Sequence, residues 1–272
     1  MRIVIFTNLD GTLLDHDTYS FSHAIPALKQ IKKEGIPLIL CSSKTRREII
    51  SVQEQLDIRE PFVVENGAAV YFPTGYKGLF PKYDSDGAFV SAVQLGVSYG
   101  RIRSFVHSIK DRFHVHGFGD ISLQEVSRLT GLSAEYAELA MWREHTEPCL
   151  MDSVHDLATL QSLAADRGIK IIKGERFYHM MGMLQDKGRA VRIVRDLLNR
   201  CFKKKHLAIG IGNNENDVPM LNQVDLPILF PKYDGTYLDL ALPLLLKANH
   251  AGSKGCKEAI EDVLDRYVYE RT

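Results

Sequence analysis

The chain alternates short apolar strands with amphipathic helices, and this rhythm limits its fold more than any other feature. Residues 2–7 form an apolar, β-branched run, and residues 36–41 and 61–65 are two further candidate strands. Helical stripes at residues 22–33 and 44–56 separate them. Strands that alternate with helices at this spacing pair in parallel through right-handed crossovers. The pattern predicts an α/β fold with a three-layer, parallel-sheet core.

The strand–helix rhythm is interrupted in the middle of the chain. From about residue 83, aromatic and His-rich segments alternate with helical stretches, and the rhythm returns near Lys187. The later candidate elements are helices at residues 188–200 and 218–222 and strands at residues 207–211 and 226–230. We therefore expect an α/β core domain of residues 1–82 and 186–272, with an inserted α+β cap domain of residues 83–185.

Charge and cysteine usage exclude several classes of protein. The 34 Lys and Arg residues balance the 34 Asp and Glu residues, so no overall positive field attracts nucleic acid or an anionic membrane. The four cysteines are widely spaced without a CxxC pair, which favours free thiols over a disulfide framework or a zinc site. The apolar run at residues 3–6 is too short for a membrane span or a secretory signal. We expect a cytoplasmic protein with a small-molecule ligand, no nucleic acid and no membrane partner.

Polar clusters follow four of the candidate strands. They are Asn8, Asp10 and Thr12; Ser42, Ser43 and Lys44; Glu65, Asn66 and Gly67; and Asn213, Asn216 and Asp217, with Lys187 opening a later helix. Any one cluster is more simply explained as a turn or a helix cap. Ligands of open parallel sheets bind outside the carboxyl ends of the strands. Four clusters at that edge together predict a ligand site.

Five segments, in order, resemble the motifs of haloacid dehalogenase-like phosphatases with an α+β (type II) cap. They are residues 6–14 (FTNLDGTLL), 40–45 (LCSSKT), 65–68 (ENGA), 186–188 (DKG) and 212–217 (GNNEND). Residues 41–45 and 174–179 (GERFYH) are similar to the mannosyl-3-phosphoglycerate phosphatase family within that branch. The likeness extends over nearly the whole chain and implies phosphomonoester hydrolysis.

The resemblance also implies roles for individual positions. The carboxylate expected at position 8 would attack phosphorus and form an aspartyl-phosphate that water later hydrolyses. Asp10 would protonate the leaving oxygen and then activate water. Ser42 and Lys187 would donate hydrogen bonds to the phosphoryl oxygens. This catalytic set comprises Asn8 (at the nucleophile position), Asp10, Ser42 and Lys187.

Magnesium is the cofactor that the resemblance implies. Its predicted ligand positions are Asn8, Asp10 through the backbone carbonyl, Asn213 and Asp217, where Asp217 supports either the metal or Lys187. Magnesium prefers oxygen ligands and keeps several waters, which agrees with an open carboxylate site.

This sequence departs from the family pattern at two positions, where Asn8 and Asn213 replace the expected aspartates. A carboxamide oxygen is a far poorer nucleophile than a carboxylate. Both replacements also remove negative charge from the metal site. The attraction lost is about 1–4 kcal/mol for each unit charge pair 4 Å apart. Two interpretations are open: an altered phosphatase that traps its substrate, or a natural member that has lost turnover and kept binding. Slow deamidation of Asn8 is a third, which the bulky Leu9 disfavours.

Seven further residues are candidates for substrate binding: Ser43, Lys44, Glu65, Asn66, Gly67, Arg176 and His179. Arg176 is suited to a bidentate contact with the carboxylate of a phosphoglycerate, and His179 to a hydrogen bond with the same group or a sugar hydroxyl. The alternatives are a surface Arg beside a core His, and a plain turn at residues 65–67. The predicted function is that of a mannosyl-3-phosphoglycerate-type phosphatase with turnover in doubt; the alternative is a catalytically inactive binding protein for phosphorylated sugar acids.

Overall fold

The computed structural model describes residues 2–78, 89–151, 156–174 and 176–269, and these residues contain two β-sheets. The strands are β1 (Arg2–Thr7), β2 (Leu38–Cys41), β3 (Phe62–Val64), β4 (Ala69–Pro73), β5 (Phe89–Gln94), β6 (Val115–Gly117), β7 (Thr146–Met151), β8 (Ile169–Lys173), β9 (Tyr178–Gly182), β10 (His206–Gly212), β11 (Leu226–Leu229) and β12 (Leu246–Lys247). The larger sheet has the order β12-β11-β10-β1-β2-β3-β4-β5, and the smaller sheet has the order β6-β7-β9-β8.

Nine α-helices lie within the described ranges. They are α1 (Ile25–Lys33), α2 (Arg46–Leu56), α3 (Tyr99–Phe113), α4 (Leu123–Thr130), α5 (Ala134–Met141), α6 (Leu157–Ala165), α7 (Lys187–Phe202), α8 (Val218–Leu221) and α9 (Gly252–Leu264). No helix among these described residues is long and apolar enough to cross a membrane. All four cysteines are free thiols, as the sequence predicts.

The predicted parallel core is confirmed, with β12, β11, β10, β1, β2 and β3 paired in parallel. In contrast, β4 and β5 add an antiparallel edge to this sheet. Only residues 65–68 join β3 to β4, which is too short for a parallel crossover connection. This antiparallel edge is a feature that the strand–helix rhythm does not predict.

Alternation along β1 produces the three layers of the larger sheet. Ile5 packs on one face with buried side chains of α1, α2 and α9, while Phe6 packs on the other face with those of α7. Successive side chains of a strand point to opposite faces, so a strand that is apolar at every position is covered on both sides. The carboxyl ends of β1, β2, β3 and β10 therefore lie at one edge between the helix layers.

The smaller sheet is antiparallel throughout and lies between β5 and α7 in the chain. Apolar side chains of α3 and α6 pack on it, and α4 and α5 form a second small cluster with Phe118. We call residues 99–182 the smaller-sheet segment. The division into two domains stays a prediction: its boundary after residue 82 lies outside the described residues, and β5, which it assigned to the cap, pairs with β4 in the larger sheet.

Several element bounds differ from the predicted ones for local reasons. Helix α2 begins at Arg46 rather than at residue 44, because Thr45 is its N-cap and forms a capping box with Glu48. Helix α1 begins at Ile25, after a 3-10 turn at Ser22–Ala24. Because α2 begins at Arg46, Lys44 lies in the loop after β2, at the edge of the sheet where the carboxyl ends of the strands lie.

Candidate active site

The loops after β1 and β10 meet at the edge of the larger sheet around the side chain of Lys187. Its Nζ donates to Asp217 Oδ1 at 2.7 Å and to Asn8 Oδ1 at 3.1 Å. The side chains of Lys187 and Asp217 are both fully buried. Lys187 is the first residue of α7, so these contacts join three distant parts of the chain. Sequence analysis predicted that these three residues meet.

The carboxamide of Asn8 has a defined orientation in this cluster. Its Nδ2 donates to the carbonyl oxygen of Asp10 and to Oδ1 of Asn213, each at 3.2 Å. An ammonium group can only donate, so Lys187 requires the oxygen of the amide on its own side. The amide nitrogen of Asn8 therefore bridges two oxygens that the family resemblance predicts as metal ligands.

Asp217 is held by backbone amides as well as by Lys187. Its Oδ2 accepts from the backbone N–H groups of Asn213 and Asn214, at 2.9 and 3.1 Å. Oδ1 of Asn213 accepts a further hydrogen bond from Nδ2 of Asn214 at 3.2 Å. Each of these side-chain oxygens already has a donor from the chain itself.

The turn after β3 contacts the start of α7 and the cavity residue Asn216, but its own predicted residues do not line the cavity. Gly67 has a φ of +88°, and a Cβ atom there would lie 2.0 Å from the carbonyl oxygen of Asp186. Asn66 Oδ1 accepts from Nδ2 of Asn216 at 3.0 Å. Both Asn66 and Gly67 were predicted to bind substrate, but neither lines the cavity described below. Only glycine permits this close approach, so Gly67 fixes the backbone that carries Lys187.

Ser42 and Ser43 follow β2 and differ in their surroundings. Ser42 is fully buried, and its Oγ accepts from the backbone N–H of Lys44 at 3.2 Å. Ser43 lines the cavity, and its carbonyl oxygen accepts from Nη1 of Arg143 at 2.8 Å. Ser42 thus shapes the loop, whereas Ser43 faces the ligand space.

Asp10 and Lys44 form an ion pair at the cavity wall. Lys44 Nζ lies 3.1 Å from Asp10 Oδ1 and 3.6 Å from Glu48 Oε1. Burial on its own would lower the pKa of Lys44, but the carboxylates of Asp10 and Glu48 outweigh it and raise the pKa above its ordinary value. Lys44 therefore keeps its charge, and the side chain of Asp10 is 35% exposed beside it. This exposure is what a proton-transfer role requires.

A cavity of about 150 Å³ lies between these loops and the smaller-sheet segment. Of the predicted site residues, it is lined by Asn8, Asp10, Ser43, Lys44, Arg176 and His179. Seven others are buried and do not line it: Ser42, Glu65, Asn66, Gly67, Lys187, Asn213 and Asp217. The predicted residues thus divide into a group that faces the cavity and a buried group that supports it.

The smaller-sheet segment contributes cations to the cavity wall. Arg176 Nη1 donates to the carbonyl of Thr130 at 2.6 Å, so this side chain is held in place. Burial, followed by the charges of Arg143 and Lys187, lowers the pKa of His179 to about 3. His179 is therefore neutral near pH 7. Glu175, which lies in the same sequence motif, is outside the described residues.

Arg143 is a cationic lining residue that sequence analysis missed, as it missed Lys173. Its Nε donates to the carbonyl of Ala140 at 2.8 Å, while its Nη1 contacts Ser43. No local pattern marks it, since its partner on the larger sheet lies 100 residues away. A basic residue before β7 was the only available signal.

Glu65, a predicted substrate-binding residue, does not line this cavity. Its carboxylate is fully buried and accepts from the backbone N–H groups of Glu144 and His145, at 2.8 and 3.1 Å, and from Thr146 Oγ1 at 2.6 Å. Gln185 Nε2 donates to the carbonyl of Glu65 at 2.6 Å. Glu65 therefore anchors the start of β7 to the turn after β3 and does not contact the cavity.

The predicted metal ligands do not form an anionic cluster. Across residues 2–78, 89–151, 156–174 and 176–269, no group of three or more His, Cys, Asp or Glu side chains could hold a metal ion. The oxygens of Asn8, Asn213 and Asp217 all accept hydrogen bonds from the chain, and the Asn8 amide nitrogen lies among them. This donor set does not fit a divalent cation.

Comparison with known proteins agrees with the fold and the order of the loops. A family model described as haloacid dehalogenase-like hydrolase matches residues 5–86. The chain also resembles the solved structure of a haloacid dehalogenase-like hydrolase from B. subtilis, with a TM-score of 0.63 over 97% of this chain and 99% of that one. At 14% identity this second likeness concerns the fold alone. Fold and loops together define a hydrolase of the haloacid dehalogenase-like class.

Curated relatives narrow the class. Glucosyl-3-phosphoglycerate/mannosyl-3-phosphoglycerate phosphatase from Persephonella marina is 47% identical over 263 residues, which are 97% of each chain. The protein of the same name from Methanococcoides burtonii is 37% identical over 98% of each chain. The chain belongs to the mannosyl-3-phosphoglycerate phosphatase family of haloacid dehalogenase-like hydrolases. The prediction of a phosphatase of this type is confirmed.

Proposed function

We propose that the ligand of this phosphatase-family site is a phosphorylated sugar-glycerate, the class of compound that the names of its relatives contain. The observation that carries the proposal is the cavity, where loops of the larger sheet face basic residues of the smaller-sheet segment. The proposal includes a small-molecule ligand, no nucleic acid or membrane partner, and action in the cytoplasm.

The charges of the cavity support a ligand that carries both a phosphate and a carboxylate. Lys44 lies on the larger-sheet side, while Arg143, Lys173 and Arg176 lie on the opposite side. A phosphoglycerate ester has its two anionic groups a few bonds apart, so it can contact both sides at once. Arginine is suited to the carboxylate because its planar guanidinium forms paired hydrogen bonds. We assign the phosphate to the Asn8–Lys44 side and the carboxylate to Arg176.

Asp10 is the residue best placed to transfer a proton. Its carboxylate is partly exposed in the cavity, and Lys44 holds it. In the family route, a carboxylate at position 8 attacks phosphorus, the bond from phosphorus to the glycerate oxygen breaks, and Asp10 protonates that oxygen. Water activated by the same residue then cleaves the aspartyl-phosphate. Asn8 carries no charge, so we expect the first step to be slow in this chain.

Binding without efficient turnover is therefore the second candidate function. The specific observation in its favour is the position of Asn8 Nδ2, which donates to oxygens on two loops of the site. That arrangement holds the loops together without a reactive carboxylate. Haloacid dehalogenase-like phosphatases are generally magnesium-dependent, but the predicted metal positions of this chain, Asn8, Asp10, Asn213 and Asp217, do not fit a divalent cation.

Phosphate release from mannosyl- and glucosyl-3-phosphoglycerate tests both candidates. The chain as written is compared with Asn8→Asp, with Asn8→Asp/Asn213→Asp and with the control Asn222→Asp, whose exposed carboxamide donates to the carbonyl of Val218. We expect the double variant to release phosphate about 10³-fold faster than the chain as written, because it regains the nucleophile. No release from the double variant removes the hydrolase proposal. Failure of every form to bind either compound removes both candidates.

A further inference from the structure

The site contains an amide nitrogen where the family pattern calls for a cation. Asn8 Nδ2 lies 3.2 Å from the carbonyl oxygen of Asp10 and 3.2 Å from Oδ1 of Asn213. These are oxygens that a divalent ion would share. An N–H group presents positive partial charge to both of them, and so links the loops after β1 and β10 as an ion would.

The buried cluster of Asn8, Asn213, Lys187 and Asp217 carries no net formal charge without an ion. Asn8 and Asn213 together remove two negative charges relative to the family pattern, which is the charge that one divalent cation would neutralise. The two charged side chains of this cluster, those of Lys187 and Asp217, neutralise each other at 2.7 Å. Adding a divalent ion to this cluster would place uncompensated positive charge beside Lys187, which is unfavourable in a buried site.

The orientation of the amide also opposes an ion. To turn its oxygen toward Asn213, Asn8 would have to turn its NH₂ group toward Lys187 Nζ, which is itself only a donor. Asp217 already accepts from Lys187 and from two backbone N–H groups, so an ion would compete with these donors for its oxygens. An entering ion would thus break several hydrogen bonds and leave a buried ammonium group with one partner fewer.

We propose that the Asn8 amide replaces the divalent cation in this chain, so that the site does not bind Mg²⁺ and accepts a phosphate dianion without it. The statement about phosphate depends on the proposed function, whereas the statement about Mg²⁺ does not. Cations at the cavity, including Lys44, then supply the positive charge for the ligand.

Thermal unfolding with Mg²⁺ alone tests the first statement. We expect the melting temperature of the chain as written, and of the control Asn222→Asp, to be unchanged by Mg²⁺. Asn8→Asp/Asn213→Asp places two carboxylates together, so it should melt lower without the ion and gain about 5 °C or more at roughly 100 times the dissociation constant. A rise for the chain as written, beyond that with equal ionic strength of NaCl, overturns the proposal. A double variant whose melting temperature does not change with Mg²⁺ also overturns it.

If the double variant does not fold, calorimetric titration of Mg²⁺ into the chain as written and into Asn213→Asp replaces it. Heat of binding to the chain as written overturns the proposal, and binding only to the variant supports it. Inorganic phosphate, titrated with either EDTA or Mg²⁺ present, tests the second statement. Equal affinities support it, and binding only with Mg²⁺ overturns it. Phosphate binding at equal affinity combined with failure of every sugar-glycerate would remove the proposed function alone.

Discussion

Replacing Lys187 with Met should destabilise the protein strongly although it changes side-chain size little. Lys187 and Asp217 are fully buried partners at 2.7 Å, and Lys187 also donates to Asn8. In the variant, Asp217 keeps its two backbone N–H donors but loses its only counter-charge among the described contacts. A buried charge that loses its partner typically costs about 3–5 kcal/mol. The backbone donors offset part of this, so we expect a cost of about 3 kcal/mol.

A double-mutant cycle separates the charge from the packing. For a chain of this size, about 3 kcal/mol corresponds to a fall of roughly 6–12 °C in melting temperature. Lys187→Met/Asp217→Asn should recover at least half of the loss, because it removes the unpaired charge while an oxygen remains for the backbone amides. Lys204→Met, at an exposed lysine, is the control. Thermal and urea unfolding measure the chain as written, the single variants Lys187→Met and Asp217→Asn, the double variant and the control. A cost below about 1 kcal/mol for Lys187→Met, or no recovery in the double variant, would refute the reasoning.

Three further predictions concern the support of the site. Gly67→Ala should lower the free energy of unfolding in urea by about 2–3 kcal/mol, because it adds a Cβ against a carbonyl oxygen at a positive φ. The control Gly35→Ala also has a positive φ but faces open space, so it should cost only about 1 kcal/mol. Glu65→Gln should cost about 1–3 kcal/mol, since one amide oxygen cannot replace a carboxylate that accepts three donors, and an unchanged melting temperature would contradict the anchoring role. In the folded protein His179 stays neutral down to about pH 3, whereas in the unfolded chain its pKa has the ordinary value of 6.5. Between these two pH values only the unfolded chain takes up the proton. The free energy of unfolding therefore falls as the pH is lowered from 6.5 toward 3. Unfolding measured across this range should be less pH-dependent in His179→Gln, but not in the exposed control His107→Gln.

The buried cluster was predictable because parallel strands impose it. Asn8 and Asp217 each follow a strand whose carboxyl end must lie at one edge of the sheet, and Lys187 opens the helix beside them. Their contacts at 3.1 and 2.7 Å follow from that topology. The order of strands and the spacing of polar residues were sufficient for this part of the site.

Side-chain direction was not predictable from the same reasoning. Glu65 follows β3, as a ligand-binding residue would, but its φ of +45° lies in the left-handed region and its carboxylate binds residues 144–146. Arg143 reaches Ser43 through folding of the smaller-sheet segment, and no nearby residue signals that contact. Helix α2 begins at Arg46 because Thr45 is its N-cap, and the helical stripe from residue 44 did not reveal the capping box with Glu48.

The most direct test is a crystal structure of the chain grown with mannosyl-3-phosphoglycerate and Mg²⁺. It shows whether loops that are distant in the chain form one phosphate site in which the Asn8 carboxamide replaces the ion. We predict phosphate density in the cavity beside Asn8 and Lys44, with no ion between the Asp10 carbonyl and Asn213. Ligand bound elsewhere, or Mg²⁺ at that position with the Asn8 amide displaced, would contradict the account.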